Sequence, residues 1–335
     1  MSVNLPTIVV TGATGFVGRP VIDRLLQESV MVKCLIRSDD DRNKFVPHDN
    51  LSFVIGDITA IETLHVAFKG AWGVINIAGL REFWSQDKKQ FYKLNHIGAT
   101  NVFKACLANN IQHVVQVSTP LAFGAPASIP FNEDTPAGPH PSNYGRSKYL
   151  GDQAGLLMSK NQSLPLTILY LAAVIGAGDN KETMEVGRAL KGNMPALIGA
   201  DTTYTYLYVR DASEAIVRAI MKKETIGKQY LIGKERATTR EYFSIIGDIA
   251  KVKVPDRNIP EKYLVPMAKV MELVARFSGK RPQLPLDVLR TTQQGSLLFD
   301  GSLAEKELGL TYTSLSEALT EAIAYCSGQV ILDIE

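Results

Sequence analysis

The chain has 335 residues, 21% of them charged and 45% apolar, with a formal net charge of +2. That length buries a sizeable core and suits two joined lobes, and the near-balanced charge leaves no footprint for a nucleic-acid partner. Three widely spaced cysteines, Cys34, Cys106 and Cys326, exclude a disulfide framework and a cysteine metal centre, so a reducing cytoplasm is the expected compartment and no metal is expected.

The opening residues, MSVNLPTIVVTG, run almost directly into an apolar strand and lack the pattern of a signal peptide. No apolar run reaches about eighteen residues, so no integral membrane segment is expected. Predicted strands follow at Thr7–Thr11, Val30–Ile36, Leu51–Ile55, Gly73–Ile77, His113–Val117 and Leu166–Leu171. Predicted helices alternate with them at Val17–Glu28, Thr63–Lys69, Gln90–Asn109 and Asn143–Ser159. Nearly continuous apolar strands separated by helices predict an α/β fold, a doubly wound parallel sheet with helices on both faces. After Gly176 the pattern loosens into a Gly-rich polar crossing. Thr205–Val209 reads as a strand, Asp211–Lys222 as a helix, Ile259–Ser278 as an apolar helix holding Pro266, and Leu315–Cys326 as a final helix capped by Ser314 or Ser316 and followed by Gly328. Residues 1–178 are thus expected to form a dinucleotide-binding unit, with 203–223 returning to it, and 179–335 mainly a smaller substrate lobe.

The first strand leads into TGATGFVG, with Gly12, Gly15 and Gly18 at a strand-to-helix turn. Such a turn lets backbone amides approach a pyrophosphate at a helix N-terminus, with Thr14, Phe16 and Val17 filling the loop. This is the Rossmann arrangement. The second strand ends in Arg37, where an NAD-selecting fold often carries an acid, and Arg42 and Lys44 follow. A guanidinium forks onto a phosphate, so NADP(H) is favoured, with NAD(H) the alternative; a solvated Arg37 paired with Asp39 is the structural reading. Asp57 either accepts from an adenine amino group or caps the helix near Ala60. Ile77, Ala78 and Gly79 end the fourth strand, small enough for the backbone to run beside a ribose.

The stretch NYGRSKY places Tyr144 and Lys148 on one helix face. A free tyrosine has a pKa of about 10. A neighbouring ammonium stabilises phenolate, so the pair suits proton transfer to a carbonyl or from an alcohol. Ser118 and Thr119 end the fifth strand and offer a hydroxyl to orient the reacting oxygen. Asn95, inside the long helix, holds either a water or a backbone group, or is merely exposed. Phe83, Trp84 and Phe123 offer rings for an apolar pocket, with Arg81 beside them, or they seal loops onto the core. The stretch YLVPMAKVMELVARFSG reads as a core helix, with a pocket lid or a membrane-surface helix as the alternatives.

Taken together, TGATGFVG, GDI, NIAG, LNHIGATN, VSTPLAFG and YGRSK, in this order, resemble the extended short-chain dehydrogenase/reductase family over most of the chain. The resemblance implies a triad of Thr119, Tyr144 and Lys148, with Asn95 assisting. It places Ile58, Val117, Leu171 and Val174 among the cofactor contacts. It implies a small-molecule substrate, and a homodimer is an option the family offers. Sugar-nucleotide members often carry asparagine where this chain has Ala173 and arginine where it has Tyr170. The expected activity is therefore reduction or oxidation of a bulky ketone or alcohol, of the dihydroflavonol or 3β-hydroxysteroid type. A nucleotide-sugar epimerase with tightly held NAD and a non-catalytic NADP sensor are the alternatives.

Overall fold

The computed structural model describes residues 5–178, 182–194, 196–292 and 298–332. Among them, seven strands form one parallel sheet in the order β3-β2-β1-β4-β5-β6-β9. These are β1 (Thr7–Thr11), β2 (Met31–Ile36), β3 (Leu51–Ile55), β4 (Gly73–Asn76), β5 (His113–Ser118), β6 (Leu166–Leu171) and β9 (Gln229–Ile232). The register runs Val10 beside Cys34 and Ile75, and Val115 beside Thr167. Every residue of β4, β5 and β6 is buried, as the continuous apolar runs require of strands covered on both faces.

Helices α1 (Gly18–Leu25) and α7 (Val209–Met221) pack together on one face of this sheet. On the other, α2 (Ile61–Phe68), α4 (Ala99–Ala108) and α5 (Asn143–Gln162) form a contiguous layer. The helix predicted over Gln90–Asn109 is α3 (Lys89–Tyr92) and α4 joined by a π-helical turn, Lys93–Gly98, that carries Asn95. Such turns re-aim one side chain within a continuing helix.

The second sheet, β10-β8-β7, joins β7 (Ala173–Ile175), β8 (Thr203–Tyr208) and β10 (Glu235–Thr238). Against it pack α6 (Glu182–Leu190), α8 (Thr239–Ala250) and α12 (Leu315–Leu332). The return to the large sheet therefore uses α7 and β9, whereas Thr203–Tyr208 stays in the small sheet. Helix α9 (Glu261–Ser278) and α10 (Leu286–Thr292) close a satellite core of Leu264, Ala268, Leu284 and Leu289. Helix α11 (Ser302–Leu308) lies against β9. The final helix starts where expected, with Ser314 and Glu317 capping each other, but it runs through Gly328 to Leu332. One glycine costs a helix about 1 kcal/mol and does not by itself end it, and a Cβ on Gly328 would meet nothing within 4 Å.

Candidate active site

All the parallel strands end at one sheet edge, and the turns following β1, β4 and β5 bring the candidate residues together there. Gly12 has φ of +70°, and a Cβ on it would lie 2.7 Å from the Ala78 amide nitrogen. A Cβ on Gly18 would lie 2.2 Å from the Gly12 carbonyl oxygen. Both glycines are thus required by the chain's own close approach, while Gly15 is exposed. No side chain caps the N-terminus of α1, which leaves its end open to an anion. Thr14, Phe16 and Val17 are half-buried around this turn, and the Arg81 guanidinium lies 5.9 Å from the Phe16 ring centre. A cradle of this shape fits a dinucleotide pyrophosphate.

Behind the turn, a polar chain crosses the strand ends. The Thr11 hydroxyl donates to Asn76 Oδ1 at 2.5 Å, and Asn76 Nδ2 donates to Gln116 Oε1 at 2.7 Å. The Ala78 N–H in turn donates to Thr11 at 3.2 Å. Burial of these groups is tolerated because each is paired.

At the end of β2, Arg37 is exposed, and its guanidinium has no ion-pair partner among the described residues. Asp39 pairs with Arg42 at 2.8 Å rather than with Arg37, and Lys44 is tied to Asp41 at 2.6 Å. Asp57 Oδ1 accepts from the Thr59 N–H at 2.7 Å, which makes a local turn ahead of α2. That bond holds the Asp57 carboxyl below its ordinary range, and the Arg37 charge adds to it. Ile58 is buried against Gly98, and its carbonyl accepts from Asn101 at 3.0 Å. Ile77 and Ala78 are half-buried and Gly79 is exposed.

Helix α5 begins at Ser142, whose hydroxyl accepts from the Gly145 N–H at 3.1 Å. Tyr144 and Lys148 are both buried on its inner face. The Lys148 ammonium donates to the Val117 carbonyl at 2.7 Å, so the helix is fastened to the end of β5. Burial lowers the Lys148 pKa, and the negative charge of Asp152 opposes that effect. Asp152, one turn further along, is 1% exposed and accepts from the Ser118 hydroxyl at 2.5 Å. Its own pKa is raised to about 6 by burial, against the pull of Lys148 and the donors on Ser118 and Gln116.

Ser118 and Thr119, both candidate hydroxyls at the strand end, differ here. Ser118 commits its proton to Asp152, whereas the Thr119 oxygen accepts from the Leu121 N–H at 3.4 Å and its proton has no acceptor among the described residues. Asn95 is buried and holds backbone: Oδ1 accepts from the Leu80 N–H at 2.7 Å, and Nδ2 donates to the Leu80 carbonyl and to Ser147 Oγ, each at 3.0 Å. A Cβ on Gly79 would fall 2.7 Å from Asn95 Oδ1, which explains the small residue there.

The Phe83 ring meets Tyr144 edge-on, with centroids 5.8 Å apart, and the two share an apolar cluster with Phe91 and Leu121. Trp84 and Arg81 are half-buried on the same loop. Phe123 does not join them. Its ring packs at 4.9 Å from both Phe131 and Tyr170, and it lines a separate cavity of about 190 Å³ with Glu133, Asp152 and Gln229. The short 3-10 turn at Pro120–Phe123 sends Leu121, not Phe123, toward Tyr144. Val117, Leu171 and Val174 are buried at the ends of β5, β6 and β7. Sequence reasoning missed Leu121, Gln116 and Asp152. For Asp152 a signal was present, an acid one helical turn after Lys148.

The second lobe closes on this edge. Asp287 Oδ2 accepts from the Asn143 N–H and from Nδ2, at 3.0 and 3.1 Å, and Tyr92 donates to Asn143 at 3.2 Å. Arg281 pairs with Glu82 at 3.0 Å.

The family profile described as "NAD dependent epimerase/dehydratase family" matches residues 8–233. Over 325 residues the chain is 27% identical to a Synechocystis sp. protein named "Putative dihydroflavonol 4-reductase", covering 94% of this chain and 92% of that one. The crystal structure of gox2253 superposes with a TM-score of 0.82 at 28% identity, over 96% of this chain and 98% of its own. UDP-glucuronic acid 4-epimerase from Bacillus cereus, solved with a UDP sugar and NAD, shares the fold with a TM-score of 0.79 at 20% identity, over 96% and 99% of the two chains.

Proposed function

Because the chain belongs to the NAD-dependent epimerase/dehydratase family of extended short-chain dehydrogenases/reductases, we propose that it is an NADP(H)-dependent oxidoreductase interconverting a ketone and a secondary alcohol on a bulky apolar substrate. The observation that carries this reading is Tyr144 itself. It sits against Phe83, Phe91 and Leu121, one helical turn from the buried Lys148 ammonium. An apolar wall beside an acid–base phenol suits a hydrophobic carbonyl compound better than a sugar diphosphate.

The dinucleotide supplies or accepts the hydride when bound. The turn Gly12–Gly18 with the open end of α1 would hold its pyrophosphate, and Arg37 a 2′-phosphate. Asp57 and Ile58 would border the adenine, and Ile77, Ala78, Gly79, Val117, Leu171 and Val174 the nicotinamide half. Lys44, already tied to Asp41, is a weaker phosphate ligand than Arg37.

The chain's own chemistry then divides as follows. Tyr144 gives a proton to the carbonyl oxygen in reduction and removes one from the alcohol in oxidation. Thr119 donates a hydrogen bond to that oxygen. Lys148 favours the phenolate by its charge, and Asp152 keeps that charge in place within the buried site. Asn95 positions the Leu80 backbone and Ser147, and so the loop that carries Phe83.

The test is a panel of ketones and secondary alcohols assayed with NADPH, NADP, NADH and NAD. Turnover with free NADPH and a hydrophobic ketone is the expected result, and Arg37→Ala is expected to weaken NADPH binding on the order of tenfold or more while leaving NADH unchanged. Tightly retained NAD released only on denaturation, with stabilisation by uridine diphosphate, would point to a nucleotide-sugar epimerase instead.

A further inference from the structure

Helix α9 is apolar on two opposite sides. Its inner side buries Leu264 and Ala268 against Leu284 and Leu289 of the satellite core, and Ala275 is buried on the same side. On its outer side Tyr263, Val270, Leu273, Val274 and Phe277 are 57%, 62%, 54%, 59% and 86% exposed. At 100° per residue these five positions fall within one outward sector, with the exposed Pro266 among them. An apolar side of a helix is normally covered by other apolar surface. Here one of the two apolar sides is covered.

The charges around that sector are ordered. Lys262, Lys269 and Arg276 are all exposed, and each stands one residue before Tyr263, Val270 and Phe277. The two series repeat every seven residues, so a basic row runs along one margin of the apolar row. Lys269 and Arg276 have no ion-pair partner among the described residues, and Lys262 lies over the Tyr263 ring at 5.0 Å. Lys280 continues the positive charge beyond the helix. Glu272, by contrast, is turned to the protein side, where it accepts from the Leu286 N–H at 2.9 Å.

From this arrangement we propose that the outer face of α9 docks on an anionic lipid bilayer, with its apolar row in the acyl boundary and its basic row among the headgroups. No helix among the described residues is long and apolar enough to cross a membrane, so the contact lies in the plane of the surface. Long basic side chains beside an apolar row are suited to that boundary. The same charges disfavour an antiparallel two-fold dimer through this face, because that pairing would set one basic row beside the other.

The segments that follow α9 are joined to the candidate site. The segment after α9 is fastened through Arg281 to Glu82, next to Phe83, and α10 is fastened through Asp287 to the start of α5. A lipid-dissolved ketone would then have a short path to the Phe83–Tyr144 cluster from the surface on which the helix lies; this consequence rests on the reductase reading, whereas the docking does not.

The experiment is co-sedimentation of the full chain with vesicles of phosphatidylcholine plus phosphatidylglycerol, and of phosphatidylcholine alone, at low and high salt. Binding to the mixed vesicles that salt weakens is expected, with little binding to the neutral ones. Reversing Lys262, Lys269 and Arg276 to Glu is expected to reduce affinity on the order of a hundredfold. A second variant, Val270→Ser with Phe277→Ser, keeps the charges and is also expected to lose binding. Absence of binding to mixed vesicles, undiminished binding by the charge-reversed variant, or a solution dimer dissolved by Phe277→Ser would overturn the proposal. Tyr144→Phe should bind vesicles as the unmodified chain does; if that variant kept turnover, the reductase reading would fall and the docking would stand.

Discussion

Helices α5 and α9, of 20 and 18 residues, depart from ordinary amphipathicity in opposite directions. Helix α5 turns Ser147, Lys148 and Asp152 inward together with Gly145, Gly151 and Gly155, and leaves Leu157 58% exposed. Helix α9 turns small and apolar residues inward and apolar residues outward as well. Burying charge costs free energy unless it is paired, and exposing a contiguous apolar row forgoes burial that would stabilise the fold. Neither pattern follows from folding alone. In α5 the unusual side faces the polar ends of the strands, and in α9 it faces outward, so one departure points to chemistry and the other to association.

The largest expected effect tests the chemical half of that contrast. Tyr144→Phe removes one oxygen and leaves the apolar cluster with Phe83 and Leu121 in place. Turnover is expected to fall on the order of 10²–10⁴-fold while NADPH binding persists, read by steady-state kinetics beside a fluorescence titration. Full activity in that variant would remove α5 from the mechanism and leave its buried charges without a purpose.

Next in size is a packing effect. A Cβ on Gly151 would stand 2.3 Å from the Asn95 carbonyl oxygen, in the backbone of the π-helical turn. Backbone cannot swing aside as a side chain does, so Gly151→Ala is expected to destabilise by about 2–3 kcal/mol. Chemical denaturation measures it. A neutral outcome would mean that α5 and the turn carrying Asn95 are less tightly joined than the geometry requires. No position on the outer side of α9 should be this sensitive.

The contrast also explains what could be read in advance. Strands β1 and β6 match the predicted bounds because a strand buried on both faces writes a continuous apolar run, a local signal. The glycine turn and the Tyr144–Lys148 spacing are local too. Strand β9 was not predicted: four residues, QYLI, carry too little pattern, and their place beside β6 is decided by a partner almost sixty residues away. The preference for Thr119 over Ser118 comes from the family resemblance; its physical reason was not legible, because Asp152, which takes the Ser118 proton, lies on another element. For Phe123 the residues left open a pocket wall or a loop sealed onto the core, and the turn at Pro120 points its ring to Tyr170. In α9 the apolar residues were legible, but not that only one of two apolar sides is covered, because the covering residues Leu284 and Leu289 belong to the segment that follows.

A smaller effect separates structure from electrostatics within α5. Asp152 carries the charge that opposes desolvation of Lys148, and it is faced by Lys148, Ser118, Gln116 and, more distantly, Tyr170. Asp152→Asn keeps the shape and removes the charge. Lys148 then loses its proton more readily, the phenolate of Tyr144 loses support, and more alkaline conditions are needed to ionise it. The alkaline-side rise of alcohol oxidation is expected to move upward by about one to two pH units. Asp152→Glu should restore the profile if charge is what matters. A pH–rate profile unchanged in Asp152→Asn would reduce the residue to a clasp between α5 and β5.

The smallest expected effect is on the other helix. Phe277 is 86% exposed, so folding withdraws little of its ring from water. Replacing it with serine should leave thermal stability within about 0.5 kcal/mol of the unmodified chain. A destabilisation of about 2 kcal/mol or more would mean that the ring is covered by the chain itself in solution, and α9 would become an ordinary core helix. Near-neutral stability combined with lost vesicle binding separates the two uses of apolar surface: Leu264 and Ala268 hold the satellite core together, while Val270 and Phe277 contribute only when a second phase covers them.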